Sequence, residues 1–160
     1  MLVIYHTDNN ETFVTVPSPE FLGQLMDAGL TELEAVDLIR KKDIPKHHEG
    51  FIGHSNLSPQ DRYFRNAWEC DTINNRITVN VVKARAIQKD RIIEMHNSIY
   101  DDLNREISKS EDREFHAMTG DLKQKRKDLL LEIDNLDAIL DSMNIDELRN
   151  YQPAAFSGLI

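Results

Sequence analysis

The stretch VNVVKARAIQKDRIIEMHNSIYDDLNREIS, residues 79–108, decides the fold of this chain. Its apolar residues recur at spacings of three and four, a periodicity that lines one face of a helix. These residues are Ile92, Met95, Ile99, Leu103 and Ile107. Because one narrow apolar stripe must be covered by another element, the sequence predicts a long helix that needs a partner.

A second stripe with the same spacing follows Met118-Thr119-Gly120, a stretch that predicts a break between two helices. Its members are Leu129, Ile133, Leu136, Leu140 and Met143. We expect the chain to double back at Thr119-Gly120, so that the two stripes meet in an antiparallel helical hairpin. The alternative is that the stripes pair between two chains as a coiled coil.

The charges of the second helix favour the hairpin. Basic residues cluster between Lys123 and Lys127, and residues 128–148 contain acids but no base. This order opposes the helix dipole, so a neighbouring helix has to compensate it. In a hairpin the basic start would lie beside Glu111, and the acidic end would lie toward Lys89 and Arg91. Exposed ion pairs contribute only a few tenths of a kcal/mol each, so the apolar stripes supply most of the stability.

The first half of the chain predicts short, locally specified elements. Two β-prone runs, Leu2–Tyr5 and Thr12–Val16, flank the turn residues Asp8–Asn10 and indicate a β-hairpin. A short helix is predicted over Pro19–Ala28, and a capping box that begins at Thr31 opens a second helix. The predicted fold class is therefore α+β, with a small amino-terminal β-rich part and short helices before the long antiparallel helical hairpin.

We expect one domain of three parts: residues 1–78 as the β-hairpin plus short helices, 79–150 as the helical hairpin, and 151–160 as an apolar tail. The tail AAFSGLI carries no charge, so we expect it to be held against another surface. Phe156 and Leu159 are accordingly candidate partner-binding residues.

Composition limits the classes of partner. The net charge of −9 argues against direct binding to nucleic acid, which needs a positive footprint. No apolar run approaches the length of a membrane span, so we expect no membrane partner. The single cysteine, Cys70, cannot form an internal disulfide, and we expect it to be a packing residue.

The sequence contains no phosphate-binding loop, dinucleotide fingerprint, nucleophile elbow or paired-cysteine motif, so we predict no enzyme activity, catalytic residue or cofactor. The segment KHHEGFIGH, residues 46–54, suggests a metal site through His47, His48 and His54. Adjacent histidines on an extended segment point in opposite directions, however. We therefore predict no metal site here, and a polar loop that leads into a short strand, Phe51–Gly53.

Residues 55–80, SNLSPQDRYFRNAWECDTINNRITVN, combine aromatic and arginine side chains. Ser58-Pro59 predicts the start of a helical turn. In one interpretation Phe64, Ala67 and Trp68 pack this turn onto the amino-terminal hairpin, and the arginines pair with Asp61, Glu69 or Asp71. In the other, the segment is a recognition surface, since tryptophan, tyrosine and arginine anchor interfaces. The candidate partner-binding residues are then Arg62, Tyr63, Arg65 and Trp68.

Three motifs resemble a family of small accessory proteins from the structural modules of tailed bacteriophages and prophages. They are KKDIP at Lys41–Pro45, DRYFRNAWE at Asp61–Glu69 and ITVNVVKARAIQKDRI at Ile77–Ile92. The resemblance covers about residues 41–151 and extends to Gly120-Asp121 and the lysine-rich last helix. One departure is Gln88, where the family pattern has histidine.

The resemblance, with a looser similarity to tail-fibre assembly proteins, implies a non-enzymatic tail-module protein that acts by protein–protein contact. An assembly chaperone or accessory factor is the first expectation, and its partner would be a larger phage structural protein such as the tail fibre. The alternatives are a minor virion component of the tail or baseplate and an acidic DNA-mimic inhibitor of a host protein. The expected location is the host bacterial cytoplasm or the virion. The sequence leaves open whether the protein forms a homo-oligomer.

Overall fold

The computed structural model describes residues 1–9, 11–59 and 62–157 and has an α+β fold, as predicted. The chain divides into two compact units, Met1–Asn80 and Val81–Ile160. In the described part of the chain, the first unit holds the strands and two short helices, and the second unit is helical. No helix in these ranges is both long enough and apolar enough to cross a membrane.

Three antiparallel strands form the main sheet of the first unit. They are β1 (Leu2–Asp8), β2 (Glu11–Thr15) and β3 (Glu49–His54), in the order β2-β1-β3. The predicted β-hairpin is therefore confirmed. Asn9 begins its turn in the left-handed conformation, with φ of 49°, which asparagine adopts more readily than most residues. Asn10 lies outside the described residues.

A second strand pair covers one face of this sheet. Strands β4 (Trp68–Asp71) and β5 (Arg76–Val79) pair in antiparallel register. Because alternate residues of a strand face opposite sides, Val3 and Tyr5 of β1 point to this face together. They form a buried cluster with Phe51, Trp68 and Ile77.

Two helices cover the opposite face of the sheet. They are α1 (Pro19–Asp27) and α2 (Glu32–Asp43), and Ile4 of β1 packs against Val36 and Ile39 of α2. The predicted capping box is present, since the Thr31 side chain accepts a hydrogen bond from the Glu34 backbone and the Glu34 side chain accepts one from Thr31. The even residues of β1 therefore face the helices, which places His6 and Asp8 on that side.

The second unit is organised by helices α3 (Val81–Asp112) and α4 (His116–Asp134), which pack against each other as the predicted hairpin. Ile92, Ile99, Leu103 and Ile107 are buried as predicted. Met95 is 39% exposed, and the buried seam passes through His96 instead. The buried residues of α3, from Ala84 to Ser110, follow one another at spacings of four or three. The apolar pattern alone predicts Met95, which is next to the position that is buried.

The predicted break at Met118-Thr119-Gly120 is wrong. These residues lie inside α4, and the chain reverses over Arg113–Phe115, where Glu114 has a left-handed φ of 59°. Glycine is tolerated inside a helix at a modest cost in free energy, so Gly120 does not end the helix.

The expected charge pairing across the hairpin is present. Lys123 Nζ lies 2.6 Å from Glu111 Oε1, and Lys89 Nζ lies 2.6 Å from Asp137 Oδ1. Asp137 belongs to α5 (Leu136–Asp141), which follows α4 after Asn135. The charges thus contact their predicted neighbours even though the turn lies several residues earlier than expected.

The carboxyl-terminal segment folds back onto the second unit. Helix α6 (Ile145–Asn150) begins with a capping box between Asn144 and Glu147, and a single 3-10 turn follows over Ala154–Phe156. The Glu132 carboxylate of α4 accepts hydrogen bonds from the backbone nitrogens of Ala154 at 2.7 Å and Ala155 at 2.6 Å. Residues 154–157 are therefore held as expected.

Candidate functional site

The arginine surface, defined here as Arg62, Tyr63 and Arg65, is exposed on the first unit. The helical turn predicted to start at Ser58-Pro59 runs into residues 60 and 61, which lie outside the described residues. Further along, a short 3-10 turn over Arg65–Ala67 leads directly into β4.

Each of the two interpretations of this segment fits a different set of its residues. Phe64 and Trp68 are each 3% exposed and pack in the core, whereas Tyr63 is 36% exposed. The packing interpretation thus describes Phe64, Ala67 and Trp68. The recognition interpretation stays a prediction for Arg62, Tyr63 and Arg65.

Arg65 separates two open grooves beside β2. One, of about 150 Å³, is lined by Val14, Val16, Ser58, Arg62, Arg65 and Trp68. The other, of about 370 Å³, is lined by Glu11, Thr12, Phe13, Arg65 and Asn66. Phe13 and Val16 are exposed apolar residues of these walls, at 39% and 54%. Arg65 therefore lines both grooves, and each groove has an exposed apolar residue in its wall.

The acids expected to pair with these arginines have other partners. Asp71 accepts a hydrogen bond from Arg76 Nε at 2.8 Å and another from the Asn74 side chain at 2.8 Å. Glu69 accepts a hydrogen bond from Asn80 Nδ2 at 2.7 Å. Both acids thus stabilise the β4–β5 hairpin and its exit.

The other two candidate partner-binding residues belong to the tail. Phe156 is 2% exposed and packs within the second unit, which makes it a core residue of that unit. Leu159 lies outside the described residues.

A second cluster of polar side chains forms where β1 ends. His48 Nε2 lies 3.5 Å from Asp8 Oδ2, and His47 Nε2 lies 3.9 Å from Asp8 Oδ1. One ligand atom from each of these three residues lies within 4.8 Å of the others. They form the group called here the Asp8 cluster.

A tight turn brings the two adjacent histidines together. The His48 backbone nitrogen donates to Pro45 O at 3.0 Å, so His47 lies within a turn and not on an extended segment. The two rings meet edge to face with centroids 4.6 Å apart. The premise that excluded a metal site, an extended His47-His48 pair, is therefore wrong.

His6 supports this cluster from inside the sheet. Its Nδ1 lies 2.9 Å from His48 Nδ1, and its Nε2 lies 3.0 Å from Thr15 Oγ1. The ring of Phe13 stacks on His6 with centroids 5.3 Å apart. Burial, and secondarily the neighbouring His48, lowers the pKa of His6, which favours its neutral form.

Gly50 allows this close approach of β3 to β1. A Cβ atom at this position would lie 2.4 Å from Tyr5 O and 2.8 Å from His6 Cβ. Both contacts are far below van der Waals distance and involve backbone or the base of a side chain. Only glycine fits here, and its absence of a side chain keeps His48 within reach of His6.

The sequence singles out His47 and His48 but predicts no metal site there, and it misses Asp8 as the third member of the cluster. It predicts a turn at Asp8 and assigns no role to His6. The signal lies in the β1–β3 pairing, in which His6 opposes Gly50 and Thr7 opposes Glu49. His54, the third histidine of the motif, opposes Leu2 at the far end of β3.

Among the described residues, the other titratable groups do not form a comparable metal-binding cluster. Burial raises the pKa of Cys70 to about 11, with Asp71 adding to the effect, so its thiol stays protonated near neutral pH. In the second unit, His96 lies within α3 and His116 opens α4. The sixteen residues from His96 to the end of α3 span about 24 Å, so these histidines do not share a site.

No family model, curated protein or solved structure matches this chain. We therefore infer the chemistry of this chain from its own residues. The first unit offers two features for this purpose, the arginine surface and the Asp8 cluster.

Proposed function

We propose that this protein is a non-enzymatic component of a phage tail module that acts by protein–protein contact, as an assembly chaperone or accessory factor for a tail fibre. The motif resemblance supports the tail module. The exposed arginine surface supports contact with a protein, and it is the observation that carries the proposal.

The composition of the arginine surface fits a protein interface. Arginine and tyrosine are enriched among the residues that dominate binding energy, and they act best beside apolar walls that exclude water. Arg65 has such walls in Phe13 and Val16, both exposed. Strand β2 is also an outer strand of the three-stranded sheet, where an extended partner segment can bind.

The DNA-mimic alternative requires a row of carboxylates that point into solvent along residues 128–147. Most of these acids are exposed, and the side chains of Asp137 and Asp141 are 72% and 76% exposed. Two of them also pair with a base of their own unit, since Asp137 lies 2.6 Å from Lys89 Nζ and Asp141 lies 3.7 Å from Arg85 Nη1. Because these bases offset part of the acidic charge, the face imitates a row of phosphates less well, which favours the contact proposal.

The test is co-purification with each tail protein encoded in the same phage module, followed by titration of the pair that forms. The variant Arg62→Glu with Arg65→Glu should weaken that complex by about tenfold or more, the size of effect expected for anchor residues. The matched control is Lys125→Glu, an exposed charge reversal on α4.

Equal affinities for the arginine variant and the wild-type protein would overturn the assignment of this surface. Mass spectrometry of purified particles separates the two tail roles. A chaperone is absent from the particles, whereas a minor virion component is present in fixed copy number.

A further inference from the structure

The Asp8 cluster offers two kinds of ligand atom to one point. Its donors are one carboxylate and two imidazoles, with Asp8 oxygens 3.5 Å from His48 Nε2 and 3.9 Å from His47 Nε2. Zinc binds such nitrogen and oxygen atoms at about 2.0–2.2 Å, so two ligands of a tetrahedral ion lie roughly 3.4 Å apart. The observed separations are already close to that value.

His47 lies on the outside of the cluster, and its side chain can change orientation. The His47 side chain is 69% exposed, whereas the His48 side chain is only 10% exposed. His47 can therefore rotate toward an ion at little cost while His48 stays fixed. The solvent side of His47 leaves room for a water molecule as the fourth ligand.

His6 prepares His48 for metal binding through its tautomer. Two imidazole nitrogens 2.9 Å apart share one proton, so one ring donates and the other accepts. If His48 Nδ1 carries the proton, its Nε2 lone pair faces Asp8. His6 then accepts at Nδ1 and donates from Nε2 to Thr15 Oγ1, which lies 3.0 Å away. Every ring nitrogen except the ligating one is satisfied by this arrangement.

This arrangement matches the way that proteins hold ligating histidines, in which the second ring nitrogen donates to a fixed acceptor. The stacked Phe13 ring, with its centroid 6.0 Å from that of His48, further restricts the orientation of the ligand. The support is built into the sheet, because His6 and Thr15 belong to β1 and β2.

We propose that Asp8, His47 and His48 bind one divalent transition-metal ion of the zinc class, and that His6 acts as the positioning residue for His48. Two imidazoles with one carboxylate favour Zn²⁺, Co²⁺ or Ni²⁺ over Mg²⁺ and Ca²⁺, which prefer oxygen ligands. This inference is independent of the proposed tail function.

The experiment is titration of the tag-free full-length protein with Zn²⁺ in competition with a chromophoric chelator. We expect one tight site per chain. His47→Gln should weaken Zn²⁺ binding by about tenfold or more, as expected for the loss of one of three ligands. Because His47 is exposed, this variant should fold as the wild type does.

The matched control is His54→Gln, an exposed histidine at the opposite end of β3. It should leave the Zn²⁺ affinity unchanged. Equal Zn²⁺ affinity in the wild-type protein and His47→Gln, or an equal loss in His54→Gln, would overturn the site.

A second variant tests the role of His6. His6→Phe keeps an aromatic ring next to Phe13 but removes the acceptor for His48, and it should lower the Zn²⁺ affinity about 10–100-fold. The visible spectrum of the Co²⁺ complex is the additional measurement, since a tetrahedral ion absorbs strongly. An unchanged Co²⁺ spectrum and affinity in His6→Phe would contradict the positioning role.

Discussion

The side-chain oxygens of Ser110 and Thr119 lie 2.7 Å apart at the buried end of the helical hairpin. Each hydroxyl group has one proton, so one donates to the other and the second donates to a backbone carbonyl. The candidate acceptors are Ile107 O and Phe115 O, each 3.0 Å from its hydroxyl group. This pair joins α3 to α4 next to the turn.

We expect Thr119→Val to lower the free energy of unfolding by about 1 kcal/mol, since it keeps the side-chain shape and removes one buried hydrogen bond. Ser110→Ala should have a similar effect, and the double variant should lose less than the sum because both changes remove the same contact. Urea unfolding measures all three. Ser108→Ala, which removes an exposed hydrogen bond to Asn104 O, is the control and should change stability less.

Gly120→Ala should stabilise the protein by about 0.5–1 kcal/mol, because alanine is the better helix former and the position has open space around it. A Cβ atom at Gly120 would meet nothing within 4 Å. Thermal unfolding gives the result. Destabilisation would instead indicate that the chain turns at Gly120.

The true turn offers the opposite substitution. Glu114 holds a left-handed φ of 59°, a conformation that costs a residue with a side chain about 1 kcal/mol and costs glycine little. Glu114→Gly should therefore leave stability unchanged or raise it slightly, although glycine also makes the unfolded chain more flexible. A large loss of stability in the same thermal assay would show that the Glu114 side chain has a role of its own.

Leu129→Ala should destabilise the protein by about 2–5 kcal/mol, the range for removing a fully buried leucine from a core. Leu129 is 0% exposed, whereas Leu131 on the same helix is 62% exposed. Leu131→Ala should therefore change stability by less than about 0.5 kcal/mol. Similar losses in the two variants would contradict the orientation of α4.

Asp71 should make stability depend on acidic pH. Hydrogen bonds from Asn74, and then the interaction with Arg76, lower the pKa of Asp71 from 3.8 to about 2. A lowered folded-state pKa contributes stability above the unfolded value of 3.8 that is lost as the pH falls toward about 2. Asp71→Asn should therefore flatten the fall in melting temperature over this interval. A slope identical to that of the wild-type protein would contradict the assignment.

Local signals allowed much of the fold to be predicted. The capping box at Thr31 and the proline at the start of α1 act within one helical turn, so their sequence is sufficient to place them. The charge order of residues 123–148 required only one neighbour, and it correctly predicts Glu111 beside the basic start and Lys89 beside the acidic end. These features can be predicted from the order of residues along the chain.

The errors arose where the deciding contact was not local. The reversal at Glu114 has no glycine or proline, and it is fixed by the packing of two long helices. The Asp8 cluster depends on pairing β1 with β3, which lie about forty residues apart in sequence. Propensity cannot supply that register, so Asp8 and His6 were not recognised as neighbours of His48.

The tight fit at Gly50 has a consequence for how this protein can diverge. Any side chain there would push β3 away from β1 and separate the imidazoles of His6 and His48, so the contact between these histidines depends on the glycine. In related genomes, a homologue that has lost this glycine should also have lost the need for the histidine pair, which makes the tripeptide His48-Glu49-Gly50 a compact marker of descent.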